Sequence, residues 1–365
     1  MKYGLICLLF CLINTSLRGQ IPDSLRPHRQ LGLRLHNGFI IPHSPELKPL
    51  TQTNPLGVEL SYSRMGLSRA VWERCNCFAR VGGYVNYVSF NNPAVLGRTF
   101  GGGAFFEPVV FYRPKLYATV RTTVGLTYLT RVYDPVDNPQ NIFFSMPFSA
   151  WLGVSFNLHH RLTSTFDLIA TASYNHISNG GTRQPNKGMN FPTLALGVAY
   201  NPTLLQLPDT RPWRGGRLAQ RWTGRMVAFG SVRVLEAGDG YPEVTRLMGG
   251  LIATGGYRLN RFHALTGGLE YVGDGYVRER MRRDTVGGNH RQVALLAGYE
   301  LWPGRYTFAI HLGYNLLRPD REYAEGFFQR YQLLYRFPNR LIVGVGLKAD
   351  RHIAKGFDVR VGYGF

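Results

Sequence analysis

Alternation with a period of two constrains this chain more than any other feature. Between Phe166 and Ser178 the even positions are Phe166, Leu168, Ala170, Ala172, Tyr174, His176 and Ser178. The odd positions are Asp167, Ile169, Thr171, Ser173, Asn175 and Ile177. Successive side chains of a strand leave opposite faces, so one face here is apolar until its end and the other is mostly polar. The segment Tyr117–Tyr133 alternates likewise, with Ala118, Val120, Thr122, Val124, Leu126 and Tyr128 against Thr119, Arg121, Thr123, Gly125 and Thr127. Pro192–Tyr200 repeats the pattern, and the C-terminus sets Phe357, Val359, Val361, Tyr363 and Phe365 against Asp358, Arg360, Gly362 and Gly364.

Such strands suit either a soluble sandwich, which wets its polar face, or a membrane barrel, which turns its apolar face to lipid. Three details favour the barrel. The apolar faces often end in Tyr or Phe, as an aromatic girdle requires. The opposite faces are rich in Gly, Thr and Ser. The chain ends on the aromatic Phe365 at the tip of an alternating strand, which resembles the C-terminal assembly signal of outer-membrane barrels and makes the barrel-assembly machinery an expected partner. Composition agrees. Charged residues are only 18% and the mean hydropathy is −0.14, the average of an apolar outside and a polar inside. Beyond the first 20 residues no run approaches the roughly 18 apolar residues of a membrane helix, so a helical bundle is excluded. Four Cys in 365 residues exclude a disulfide scaffold or a Cys-rich zinc protein. Cys75 and Cys77, one residue apart, read as small fillers near a periplasmic turn, because a bridge between them would be strained.

The N-terminus has a signal-peptide layout: a positive Met1-Lys2 start, an apolar run from Gly4 to Ile13, then polar Asn14-Thr15-Ser16. Residues 1–19 are expected to be a signal peptide and 20–365 an outer-membrane barrel. Candidate short turns lie at Arg113-Pro114-Lys115, Asn157–Arg161, Arg258–Arg261, Trp302–Arg305 and Phe337–Arg340. Candidate long loops lie near 41–55, 91–102, 133–147, 177–190, 273–289 and 315–326, with a further long periplasmic stretch at 64–76. Short turns at one end and longer loops at the other are the bacterial outer-membrane pattern. The expected fold is therefore an all-β, antiparallel transmembrane β-barrel of about 12–16 strands with short periplasmic turns and longer extracellular loops. Residues 202–221 carry Pro202, Pro208, Pro212, Gly215 and Gly216 with little alternation, and form a linker-like seam between halves at 22–201 and 222–365. Two arrangements follow, one continuous barrel or an eight-strand barrel followed by a second β unit; the closing character of the last strand favours one barrel.

One constellation looks chemical. His176 and Ser178 leave the same face of a strand, with Cβ atoms about 6.5–7 Å apart given the strand rise. Side-chain rotation can join hydroxyl to imidazole, the pairing that a serine nucleophile needs. Asn179 and the Gly180-Gly181 backbone offer donors to an oxyanion, each worth roughly 2.7–4 kcal/mol in comparable sites. The pair continues the predicted lipid face, where polar groups are costly unless interfacial or useful. On an outward-running strand it sits at the external rim.

The longer string is more specific. His176, Ser178, Asn179, Gly181, Arg183, Gln184, Pro185, Asn186 and Gly188 match the active-site segment of the lipid A 3-O-deacylase family, and the chain resembles these PagL-like outer-membrane esterases. A looser similarity spans roughly Trp72 to Tyr200 and looks like the longer branch labelled acyloxyacyl hydrolase. The resemblance implies an esterase that removes an acyl chain from lipid A, with Ser178 as nucleophile, His176 as base, Asn179 and the Gly181 amide as oxyanion donors, and Arg183, Gln184 and Asn186 at the substrate. The family triad ends in a Glu two residues after the Gly matching Gly188; that position is Asn190 here, an orienter of the imidazole without a charge. The implied substrate is lipid A or lipopolysaccharide in the outer leaflet of a Gram-negative outer membrane. A channel or lipid-binding barrel that keeps the motif without activity is the alternative.

The net charge of +20 raises nucleic acid as a partner. No run of five Lys/Arg, zinc spacing or nucleic-acid-binding aromatic motif accompanies it, so no nucleic acid is expected; arginines such as Arg183 suit lipid A phosphates instead. No metal or organic cofactor is expected. His159-His160 reads as turn solvation, and Gly101-Gly102-Gly103 as a loop-to-strand joint.

Overall fold

Strands that cross lipid must satisfy every backbone group among themselves, and closed rings do so without an edge. The computed structural model describes residues 27–213, 220–238, 240–302, 304–350 and 353–365. The signal peptide expected at 1–19 lies outside them. Sixteen antiparallel strands are present among the described residues. The first eight are β1 (His28–Gly38), β2 (Leu56–Met65), β3 (Ala79–Asn92), β4 (Gly97–Tyr112), β5 (Leu116–Leu129), β6 (Phe148–Arg161), β7 (Phe166–Ser178) and β8 (Met189–Tyr200). The others are β9 (Trp222–Leu235), β10 (Val244–Arg258), β11 (His263–Asp274), β12 (Arg291–Leu301), β13 (Tyr306–Leu317), β14 (Phe327–Arg336), β15 (Leu341–Asp350) and β16 (Ile353–Gly364).

These strands close as two rings of eight, which corrects the single barrel expected from the sequence. β8 returns to β1 in register from Leu31 opposite Tyr200 to Gly38 opposite Thr193. That pairing seals the first ring before the seam begins and leaves no edge for β9 to extend. β9 instead pairs with β10 and with the closing strand β16.

Parity sorts the side chains as the alternation demands. Leu126, Leu194 and Val359 stand 66–70% exposed on the outer walls, whereas their neighbours Thr127, Thr193 and Asp358 are buried inside. The interiors hold paired charges, and in the second barrel these lie beside an apolar cluster of Phe229, Met248, Ile252, Val272, Leu296 and Phe328. In the first barrel Glu59 Oε1 accepts from Arg34 Nη1 at 2.9 Å and Arg121 Nη1 at 2.8 Å. In the second, Arg330 donates to both oxygens of Glu270 at 2.8 and 2.9 Å, and through Nη1 to Asp358 at 2.6 Å. The buried arginines Arg34, Arg80, Arg121, Arg225, Arg330 and Arg360 are matched by the buried acids Glu59, Glu107, Asp167, Glu270, Glu300 and Asp358, so the basic excess lies mainly outside the lumens.

The first barrel is also stoppered at both ends. Outside, Ile40, Leu47, Leu50, Phe143 and Phe144 from two loops pack on Phe90, Trp151, Ile177 and Phe191 of the strands. At the other end Leu205 of the seam joins Met65, Trp72, Phe78 and Tyr117, and Trp213 stacks edge-on against Trp72 and Phe78. The seam thus packs against this end through Leu205, Leu207 and Trp213, with Tyr112 Oη and Arg161 Nη2 both donating to the Leu205 carbonyl.

Several local expectations change. The stretch 64–76 contains a helix α1 (Arg69–Cys75), capped by the Ser68 hydroxyl, and Cys75 and Cys77 are joined as a disulfide rather than standing as separate fillers. The loop expected at 91–102 is shorter, because Gly101-Gly102-Gly103 lies within β4. Helix α2 (Gly275–Arg283) occupies much of 273–289, with Asp274 accepting from the amides of Tyr276 and Val277. β6 runs on through Asn157–Arg161, so His159 does not solvate a turn. It is fully buried in the lumen, stacked on Tyr117 at 4.4 Å with Nε2 3.4 Å from Glu107. The acidic partner on β4 is what admits an imidazole there.

Removing one member of a buried ion cluster strands the others, at a cost of about 3–5 kcal/mol. Arg330→Met is accordingly expected to lower the urea midpoint of the refolded full-length chain in detergent micelles. An unchanged midpoint would show that the Glu270–Arg330–Asp358 cluster contributes nothing to stability.

Candidate active site

β7 and β8 build the site from their pairing. Their register places His176 directly opposite Asn190, and Ser178 is the last residue of β7. Even positions of β7 face outward, so His176 and Ser178 leave the outer wall at the extracellular end, not the lumen. His176 Nδ1 lies 2.7 Å from Asn190 Oδ1. A carbonyl oxygen accepts, so Nδ1 carries the proton and Nε2 is left as the basic nitrogen, the tautomer a general base requires. Asn190 is itself fixed, since its carbonyl accepts from the Ile41 amide at 2.9 Å.

Ser178 is buried, and its Oγ accepts from the Gly180 amide and from Asn186 Nδ2, each at 3.0 Å. With both lone pairs engaged, the hydroxyl proton is the group left to donate. Gly188 separates the two side chains. Its φ is +66°, and a Cβ there would lie 3.0 Å from His176 Cε1 and 3.4 Å from Ser178 Cβ. The imidazole edge and the serine therefore flank the same missing methyl.

The connecting residues 179–188 form a braced turn. Gly180 and Gly181 have φ of +70° and +80°, values that glycine adopts without cost. Asn179 and Gly181, the oxyanion donors implied by the resemblance, have their groups engaged within the turn. Asn179 Nδ2 donates to Ser145 Oγ and to the Arg183 carbonyl, and the Gly181 amide donates to Asn179 Oδ1 at 2.8 Å. Asn186 Oδ1 holds the Asn179 amide at 3.2 Å while its Nδ2 faces Ser178. Gln184 Oε1 accepts from the Asn186 amide at 2.9 Å, so its oxygen shapes the turn. The Arg183 side chain is exposed and available to an anion.

Bracing also comes from outside the motif. The amides of Lys187 and Gly188 donate to the carbonyls of Ile142 and Phe143, Ser145 Oγ donates to the Arg183 carbonyl at 2.9 Å, and His43 Nε2 sits 3.0 Å from the Lys187 carbonyl. Lys187 Nζ pairs with Glu46 at 2.8 Å. That hydrogen bond lowers the exposed Glu46 carboxyl from 4.5 to about 2, so the pin persists below pH 4.5 and is lost only as the pH falls through about 2. Sequence reasoning found neither Ser145 nor His43, because both are remote in sequence and carry no spacing signal. The Gly180-Gly181 backbone, expected as a source of oxyanion donors, supplies the Gly180 amide that points at Ser178 Oγ; Asn186, expected at the substrate, donates to Ser178 instead.

Two family models divide the chain. Residues 59–199 match lipid A 3-O-deacylase (PagL), and residues 223–365 match the C-terminal domain of acyloxyacyl hydrolase. The chain belongs to the lipid A 3-O-deacylase family. The gap between the matches falls on the seam between the barrels. Membership in this family, with two barrels banded by apolar side chains, puts the chain in the Gram-negative outer membrane and implies a hydrolase of lipid A. Among solved structures, Neisserial surface protein A aligns at 14% identity over 47% of this chain and 96% of its own, with a TM-score of 0.34. The attachment invasion locus protein Ail of Yersinia pestis aligns at 12% over 48% and 99%, TM-score 0.27. The FrpB iron transporter of Neisseria meningitidis aligns at 11% over 94% and 70%, TM-score 0.27. No curated protein matches this sequence.

Gly188→Ala tests the geometry of the deacylase motif. A left-handed alanine costs about 1–2 kcal/mol, and its methyl would displace the imidazole. Displacements of about 1 Å can cost 10²-fold in rate, so ester hydrolysis should fall at least tenfold while the barrel stays folded. Folding is read from heat-modifiable migration on gels. Full activity in this variant would mean that the gap between His176 and Ser178 is not used.

Proposed function

We propose that this chain is a serine esterase that removes an ester-linked acyl chain from lipid A at the outer leaflet. The observation that carries the reading is the outward-facing cluster of Ser178, His176 and Asn190, with the imidazole held in the basic tautomer by Asn190 Oδ1. Ser178 rotates toward His176 Nε2, gives up its proton and attacks the ester carbonyl. The rotation frees the Gly180 amide and Asn186 Nδ2, which now point at Oγ, to meet the developing oxyanion. Asn179 and Gly181 hold the turn that aims those donors. His176 returns the proton to the sugar oxygen as it leaves; it then takes a proton from water, which attacks the acyl carbonyl, and the ester bond to Ser178 breaks as Oγ takes that proton back and the fatty acid departs. Arg183 is placed to hold a phosphate. The C-terminal strand ending in Phe365 is the segment we assign to the barrel-assembly machinery.

The channel alternative finds little support in the first barrel, whose interior is occupied by paired charges and whose two ends are packed with apolar side chains.

Lipid A mass spectrometry after expression in an outer membrane tests the reading. The wild type should remove one hydroxyacyl mass, and Ser178→Ala and His176→Ala should each lose about 10³-fold or more in rate. An unchanged lipid A spectrum with correctly folded wild type would overturn the proposal.

Asn190 supplies direction but no charge to balance an imidazolium. A hydrogen bond to a charged partner is worth about 1.5–3 kcal/mol, so Asn190→Glu is expected to raise kcat by about 10–100-fold. Single-turnover acylation of Ser178 measures this directly, and a slower variant would mean that a carboxylate does not fit beside Ile41.

A further inference from the structure

The second barrel reaches the proposed ester site at Gly356 and Phe357. Outward positions of β16 are generally exposed: Val359 at 69%, Val361 at 52%, Tyr363 at 47% and Phe365 at 59%. Phe357 has the same parity yet is partly buried. What covers it is the motif turn of the first barrel. A Cβ placed on Gly180 would lie 3.1 Å from Phe357 Cδ2, and one on Gly356 would lie 3.9 Å from the Gly180 carbonyl oxygen. Gly180 is the residue whose amide donates to Ser178 Oγ.

The local backbone is built to aim this ring. Lys348 pairs with Gly356 and the next residue, Ala349, pairs with Ala354, so Lys355 is an extra residue in β16. Such a bulge turns the strand and redirects the side chain beside it. Gly356 sits at φ +151°, a conformation that side-chain-bearing residues rarely adopt, and Ser231 Oγ on β9 donates to the Phe357 carbonyl at 2.5 Å. Gly180 in turn has no side chain, which leaves room for the ring to approach.

We infer that Phe357 is a specificity-determining residue of the ester site, contributed by the second barrel, which limits the acyl chain that can lie beside Ser178. The inference rests on the esterase reading above. An ester whose carbonyl reaches Ser178 on the outer wall must run its acyl chain along the apolar surface next to the Gly180 turn, and Phe357 is the apolar group already seated there. Its ring forms a wall of that path. A wall made by one aromatic discriminates chain lengths less than a closed pocket, in which a single methylene is worth about 10–200-fold.

The full-length wild type, Phe357→Ala, Phe357→Leu and Phe357→Trp, each verified as folded by heat-modifiable migration, are compared in detergent micelles. The substrates are p-nitrophenyl esters of short, medium and long acyl chains, and the readout is the ratio of long-chain to short-chain kcat/KM within each protein. The ratio should rise about tenfold in Phe357→Ala, less in Phe357→Leu, and fall in Phe357→Trp. A residue that only supports the fold would lower all chain lengths together and leave the ratio unchanged, and that result overturns the inference while leaving the esterase reading intact. A folded wild type that hydrolyses no ester and takes no phosphonate label on Ser178 would instead overturn both.

Discussion

Backbone hydrogen bonding in lipid is the constraint on which the rest of this structure depends. A peptide group that crosses the hydrocarbon layer without a partner costs several kcal/mol, so the strands have no stable arrangement until the last pairs with the first. Once β8 has met β1 and β16 has met β9, register is fixed everywhere. With register fixed, the two-residue period decides which side chains face lipid and which face inward. The buried Arg–Glu clusters follow from this, because inward positions bounded by a closed wall cannot reach bulk water and must pair with one another.

The same register builds the candidate site. His176 meets Asn190 because β7 and β8 align them as cross-strand neighbours, not because the sequence between them is short. The turn that joins these strands is held by carbonyls and hydroxyls from other loops, notably Ile142, Phe143 and Ser145, and those loops are in turn anchored by the apolar stopper at the barrel mouth. Rigidity at Ser178 is thus borrowed from the packing of Phe143, Phe144 and Leu47 on the strand ends. Pre-positioning of this sort is what a site on an otherwise lipid-facing wall needs, since surrounding acyl chains offer no polar group to hold it.

Much of this was legible in the sequence. The alternation in Phe166–Ser178 and in the last nine residues gives strand identity and facing, and the motif from His176 to Gly188 marks the candidate site. The number of rings was not legible, because a strand of a ring of eight and a strand of a ring of sixteen alternate alike; only the long-range pairing of Leu31 with Tyr200 distinguishes them. His159 was misread as a turn residue because a polar inward position looks like a loop until its partner Glu107, distant in sequence, is known. Helix α2 was hidden in an arginine-rich stretch that carries little apolar periodicity. Ser145, His43 and Phe357 reach the motif turn only through the fold, so no local pattern points to them.

The outward direction of β7 at Ser178 has a consequence for how this chain would meet a substrate. The apolar stopper and the paired charges close the first barrel, so a lipid reaching the proposed face would come to it by lateral movement in the plane of the bilayer. The relevant concentration is then a surface density, molecules per unit area of leaflet, rather than a molarity. Dilution of the aqueous phase would leave such an encounter rate untouched, whereas dilution of the leaflet with inert lipid would slow it.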